Sequence, residues 1–397
     1  MRKKRSIKIM SVALIIVLVC ISIIYFKNGS KEILATTKEY NSELEENEHM
    51  HLEEDANRDK VPVPNGYVGS KATGENEIDT GYVIYEGTEE VNNGNVEEAQ
   101  KTRNQYVWIP VPDASQMYGT DENGKKWGKL YEFTTDTGEN IDPITGAKPL
   151  NWSESNGKFN IINKNYEQEP YISSYDGDSL RIKYLNRKTK HEILIQLEKE
   201  FNDMIESVEK YGGFYIARYE IGNISNSIPV TKKGNNAINY MNWYNSYEKC
   251  KELKGNNTNI ETNLPWKSQY DRILIWLIES GNKTKNEIIK DSTSWGNLAN
   301  STFEYIDNSG KLVTKKENSI IRIPTGSTEY AKSNNIYDLA GNMSEWTNGV
   351  FNNSFKIVMT SSCTKNEEDG QISKYSKNNF PFNGYDETGC RAMLYIK

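Results

Sequence analysis

Asn335-Ile336-Tyr337-Asp338-Leu339-Ala340-Gly341-Asn342-Met343-Ser344-Glu345-Trp346-Thr347 carries the most specific signal in the chain. Asp338 and Glu345 bracket a tight Gly341-Asn342 bend. Two carboxylates with backbone carbonyls between them offer hard oxygen ligands at Ca²⁺ reach. The plainer alternative is that both carboxylates satisfy backbone N–H groups in a long loop that holds no ion, as buried carboxylates commonly do.

Upstream of this stretch the elements are periodic. Tyr106-Val107-Trp108-Ile109-Pro110-Val111 is aromatic and β-branched and is stopped by proline, which predicts a strand. Leu194, Leu197, Phe201, Met204, Ile205 and Val208 recur at helical spacing, and Gly212-Gly213 stops them. A helix is expected from about Lys190 to Tyr211. Phe214 to Ile221 alternates like a half-buried strand. Asn242 caps a second expected helix through Leu253, with Trp243, Tyr247, Cys250 and Leu253 on one face. A third begins after Leu264-Pro265 and stops at Gly281. Residues 113–190 carry turn signals at Asp121-Glu122-Asn123-Gly124 and Asp176-Gly177-Asp178 and are expected to be an irregular insertion.

The N-terminus addresses the compartment. Residues 1–8 are basic, with Arg2, Lys3, Lys4, Arg5 and Lys8. An uncharged apolar run, Ile9 to Phe26, follows. Its 18 residues are near the ~20 that span a bilayer as a helix and exceed a typical signal-peptide core. No small-x-small cleavage site follows. An uncleaved signal-anchor is expected, with the basic tail inside and the body outside. A cleaved signal peptide is the alternative, and both place the body outside the cytoplasm. Residues 27–100 predict a tether and an extended segment: 27–60 is acidic, Val61–Gly66 ends in a turn, and 65–100 is rich in Gly, Asn and Glu with one strand candidate at Gly81–Tyr85.

Composition narrows the function classes. The net charge is −7, and no basic stripe is interleaved with aromatics, so nucleic acid is excluded as a partner. Of three histidines, His49 and His51 lie in the acidic tail, and only His191 is elsewhere. No histidine metal cluster can be built from these. Of four cysteines, Cys20 lies in the apolar run, leaving Cys250, Cys363 and Cys390: too few for a disulfide scaffold.

The order of these pieces resembles the formylglycine-generating-enzyme (sulfatase-modifying factor) family. The matching pieces are the strand at Tyr106, the strand at Gly213–Ile221, the Trp243-led helix, Leu264-Pro265 before a helix, the Asn335–Thr347 run and the terminal Gly389-Cys390-Arg391-Ala392. The resemblance covers roughly residues 101–397, interrupted by the 113–190 insertion. It implies an α+β variant of the C-type lectin fold: short strands, a few helices and much loop, preceded here by one transmembrane helix. It also implies a structural Ca²⁺ held by the side chains of Asp338 and Glu345 and the carbonyls of Gly341 and Met343. A second calcium region falls near Trp295–Tyr305, where Asn297 and Asn300 are candidates.

The family's reaction oxidises a substrate cysteine to formylglycine with two close thiols that bind copper, a soft-ligand site suited to Cu(I). Cys363 stands near the first thiol position, and five residues on stands Glu368. Cys363 is thus a catalytic candidate only if the chain is active. Family members often bridge the Trp-led helix to the last strand, which makes Cys250 and Cys390 a disulfide candidate, with buried free thiols as the alternative. The expected function is a single-pass, cell-membrane-anchored extracytoplasmic module that binds a protein or glycan ligand without catalysis. Its loops at 351–388, rich in Asn, Tyr and Phe, suit adaptable contacts. The alternative is a formylglycine-generating oxidase acting on a sulfatase-type substrate, with copper as cofactor.

Overall fold

The computed structural model describes residues 43–154, 156–159, 167–171, 189–223, 228–351, 355–366, 369–374 and 376–397. The expected anchor at Ile9–Phe26, much of the 155–188 region, Glu368, Asn352–Ser354 and Tyr375 lie outside them. Among the described residues no helix is long and apolar enough to cross a membrane.

The class is α+β, with mostly short strands and few helices. Gln105–Pro110 is buried at every position, as its aromatic and β-branched run requires. It lies inside a six-stranded antiparallel sheet. The order is Ile260–Asn263, Met393–Ile396, Gly213–Ala217, Gln105–Pro110, Val83–Glu86 and Tyr67–Gly69. Chain end and chain middle are therefore neighbours, and the Met393–Ile396 strand lies inside the sheet, next to its edge strand. A second sheet joins Glu167–Gln168, Ser344–Phe351, Phe355–Met359 and Ser376–Asn379, with Thr388–Gly389 pairing parallel to Ser344–Phe351.

Five helices are described: α1 (Val96–Thr102), α2 (Lys190–Tyr211), α3 (Trp243–Glu252), α4 (Lys267–Glu279) and α5 (Lys285–Ile289). Helix α2 starts at a capping box between Thr189 and Glu192 and ends at Gly212, whose φ of 79° accommodates the left-handed turn. Of its expected stripe, Leu197, Phe201, Met204, Ile205 and Val208 are buried and Leu194 is half-buried, and the helix packs on the central sheet. Phe201 meets Trp266 edge-on at 5.1 Å. Helix α3 is capped by Asn242, as expected, through a bond from Asn245 N–H of 2.9 Å.

The expected tether of residues 27–100 is not one over its described part. Met50–Glu54 pairs with Lys60–Pro64, and Tyr67–Gly69 and Val83–Glu86 extend the central sheet. Side chains fix this region from afar: Tyr215 Oη donates to Pro62 O (2.8 Å), and buried Arg218 pairs with Glu75 at 2.6 Å. The domain thus reaches back to about Met50. Strands this short, bounded by Gly and acids, leave little local pattern.

The insertion is likewise ordered where described. Tyr118–Thr120 pairs with Lys126–Gly128, and Tyr131–Phe133 with Ala147–Pro149. Its anchor is a buried charge pair on α4. Lys267 Nζ lies 2.8 Å from Asp271, while Tyr131 donates its N–H to Asp271 (2.9 Å) and accepts from Lys267 Nζ (2.8 Å). Glu169 accepts from the N–H groups of Lys267 and Ser268 at 2.8 and 2.9 Å, closing the α4 N-terminus. Burial pushes its carboxyl up to about 7.

Candidate functional site

The Asn335–Thr347 stretch is a succession of tight turns followed by a buried strand. Asn335, Asp338, Gly341 and Asn342 have φ of 61°, 57°, 85° and 58°. Asn, Asp and Gly are the residues that enter this left-handed region at least cost. Gly341 is there for a second reason: a Cβ would stand 2.2 Å from Asn297 O. Asn297 clamps the bend, donating its N–H to Ala340 O (2.9 Å) and accepting from Asn342 N–H (3.0 Å). Two indoles tie the stretch to α3: Trp243 Nε1 donates to Thr347 O (3.0 Å), and Trp346 Nε1 to Met241 O (2.9 Å).

The turns deliver Asp338 and Glu345 to the interior, both fully buried. Asp338 Oδ2 accepts from Thr325 Oγ1 (2.8 Å) and Gly326 N–H (2.9 Å). Glu345 Oε1 accepts from Arg391 Nε at 2.9 Å. The other oxygen of each, Asp338 Oδ1 and Glu345 Oε2, is buried without a hydrogen-bond partner. A third carboxylate, Glu220, joins them. It accepts from Met343 N–H (3.0 Å) and Asn342 Nδ2 (2.5 Å) and is buried. Sequence reasoning missed Glu220. It sits in a stretch that alternates like a half-buried strand, but its nominal polar face is covered by the Asn335–Thr347 turns. The one available signal was an acid and a base, Arg218 and Glu220, on one face of an otherwise apolar run.

Of these three carboxylates Arg391 bonds Glu345, and its charge acts on Asp338 and Glu220. Arg391 spends its other donors on Ala217 O (3.0 Å) and Tyr337 O (2.8 Å). Burial pushes the Asp338 carboxyl up to about 6 and that of Glu345 up to about 7, with Arg391 opposing both shifts. Burial and the charges of Asp338 and Glu345 push Glu220 well above the usual carboxylate range. These carboxyls hold protons more tightly folded than unfolded. The cluster's stability is therefore present at the acid end and is lost as pH rises from roughly 4 toward 7. In EDTA the chain should melt at a lower temperature near pH 8 than near pH 5.5, by calorimetry. An equal or higher midpoint near pH 8 contradicts this account of the cluster.

The donor chemistry fits a hard cation: two orphaned carboxylate oxygens and an excess of negative charge. Among the described residues no three His, Cys, Asp or Glu side chains converge as a metal cage, so an ion here has to draw on backbone carbonyls such as those expected at Gly341 and Met343.

The sulfur atoms fall into two places. Cys363 is buried, donates its N–H to Asn342 O (3.1 Å), and has its thiol pushed up to about 11 by burial. Cys250 and Cys390 are buried free thiols, and Cys250 Sγ donates to Arg391 O, the carbonyl of the residue after Cys390, at 3.6 Å. His191 is exposed at the start of α2, and His51 lies in the Met50–Glu54 strand, 3.2 Å from Glu53.

No family model matches the chain, and no curated protein matches it. Among solved structures it is similar to CarF, with 14% identity and a TM-score of 0.31 over 47% of this chain and 87% of CarF. Variable protein 1 of Treponema denticola aligns at 12% identity and a TM-score of 0.30, over 47% of this chain and 85% of that one. PvdO from Pseudomonas aeruginosa aligns at 11% identity and 0.28, over 47% and 82%. Likenesses of this size carry neither an activity nor a ligand over to this chain.

Proposed function

We propose that the chain is an extracytoplasmic domain like those of the formylglycine-generating-enzyme family, anchored in the cell membrane through residues 9–26 and acting as a non-catalytic binding or display module. One Ca²⁺ stiffens its scaffold, held by the side chains of Asp338 and Glu345 and the carbonyls of Gly341 and Met343. Loops in the 351–388 region present Tyr, Phe and Asn to a protein or glycan partner. Cys250 and Cys390 close a disulfide in an oxidising compartment; Cys250 Sγ donating to Arg391 O, beside Cys390, supports this pairing.

The observation that carries the non-catalytic reading is the isolation of Cys363. Its thiol is buried and raised to about 11, so little thiolate is present at neutral pH. Cys390, the other cysteine late in the sequence, is a buried free thiol beside Arg391, whose carbonyl accepts from Cys250 Sγ. Glu368 stands where the family places its second thiol. Two thiolates at one Cu(I) are what the oxidase needs.

Cu(I) titration followed by X-ray absorption tests this, with Cys363→Ser as the comparison. The wild type should show no copper uptake that depends on Cys363. A linear two-sulfur site lost in Cys363→Ser contradicts the proposal and makes the chain an oxidase.

A further inference from the structure

A second charged group, Lys315, is buried against the turn that follows Asn297, and no carboxylate among the described residues pairs with it. Lys315 ends the Leu312–Lys315 strand with no exposed surface. Its Nζ donates to Leu298 O (2.6 Å), Ser301 O (2.9 Å) and Ala299 O (3.2 Å). An ammonium has three N–H donors, and three carbonyls of one turn take them. The contrast is Lys267, equally buried but 2.8 Å from Asp271. No carboxylate among the described residues acts on Lys315. The same turn carries two further buried oxygens without partners, Asn297 Oδ1 and Asn300 Oδ1. It is an acceptor-rich cradle in a dry place, and carbonyl oxygens replacing a hydration shell are how proteins bind small cations.

We propose that the Leu298–Ser301 turn is a cation-binding turn whose cation is built into the chain: the Lys315 ammonium fills a site that would otherwise take a free monovalent ion of potassium or ammonium size. The consequence reaches the acid cluster. Asn297, which begins the turn, clamps the Gly341–Asn342 bend. Lys315 is thus a positioning residue for that bend, and it makes this half of the scaffold independent of dissolved cations. The inference does not rest on calcium binding at Asp338 and Glu345, and its test uses other ions.

Lys315→Ala empties the cradle. Thermal melts of the whole chain at constant ionic strength should show a midpoint lowered by on the order of 5–10 °C in sodium. Potassium, ammonium or methylammonium chloride should restore part of it. Tetramethylammonium, too large for the site, should not, and wild type should respond to none of them. A Lys315→Ala midpoint indifferent to the cation overturns the proposal, as does a Lys315→Met chain as stable as wild type. Should Lys315→Ala fail to fold, the wild-type chain decides. Its ¹⁵N-lysine spectrum at neutral pH should contain an Nζ ammonium signal protected from solvent exchange. Absence of that signal, or a neutral amine in its place, overturns the proposal.

Discussion

Arg391→Met should destabilise the domain by about 3–5 kcal/mol, enough to leave much of it unfolded at physiological temperature. Arg391 has no exposed surface, and it is the cation that opposes the raised values of both Asp338 and Glu345. Removing it strands Glu345 as a buried charge and frees two carbonyls, Ala217 O and Tyr337 O, that have no water to turn to. Breaking a buried pair from one side costs far more than the pair is worth as a whole. Arg391→Met/Glu345→Gln should therefore recover part of the loss, since the amide carries no charge to strand. Urea unfolding of the two variants measures both effects. By contrast, the exposed Arg322–Asp386 pair, 2.5 Å apart, should be removable without a measurable change. A small effect of Arg391→Met would mean that the three carboxylates hold their places without it.

Gly341→Ala should be nearly as damaging, costing about 3 kcal/mol or more. The φ of 85° alone costs a side chain roughly 1–2 kcal/mol. The added Cβ then meets only backbone: Asn297 O at 2.2 Å, C at 2.5 Å and N at 2.8 Å. No rotamer change relieves such contacts. The two bonds by which Asn297 clamps the bend would have to part. Gly124→Ala is the control, because Gly124 has a similar φ of 82° and nothing within 4 Å of its Cβ position. It isolates the conformational cost, about 1–2 kcal/mol. If denaturant midpoints fall equally in the two variants, the Asn297 clamp is not what fixes the bend.

Much of the scaffold was legible because its signals are local. Gly212 marks the end of α2, and the stripe from Leu194 to Val208 marks the face it turns inward, while its capping box at Thr189 went unread. The strand at Tyr106 and the Asn242-capped helix are announced by their own residues in the same way. Asp338 and Glu345 were recognisable as inward carboxylates from the Gly-Asn bend between them. What stayed hidden depends on distant partners. Of residues 60–86 only the strand candidate at Gly81–Tyr85 was legible, because strands of three to five residues leave little pattern of their own. Glu75 becomes a core residue through Arg218, 143 positions away, together with Ser70, Tyr85 and Gln100. Glu220 and Lys315 look like ordinary strand polars, and both are buried by loops that return later in the chain. In each case the charge is not repelled from the core, because a specific partner is carried in with it.

Calcium titration calorimetry on the folded chain and on Asp338→Asn tests the central claim most directly. The amide can still accept from Thr325 and Gly326, so the variant keeps the fold while losing the charge. Wild type should take up one Ca²⁺ per chain and melt at a higher temperature with it, and Asp338→Asn should do neither. A wild-type chain that takes up no calcium, or a variant that binds it as well as wild type does, contradicts the assignment of Asp338 and Glu345 as the centre of a calcium-stiffened scaffold.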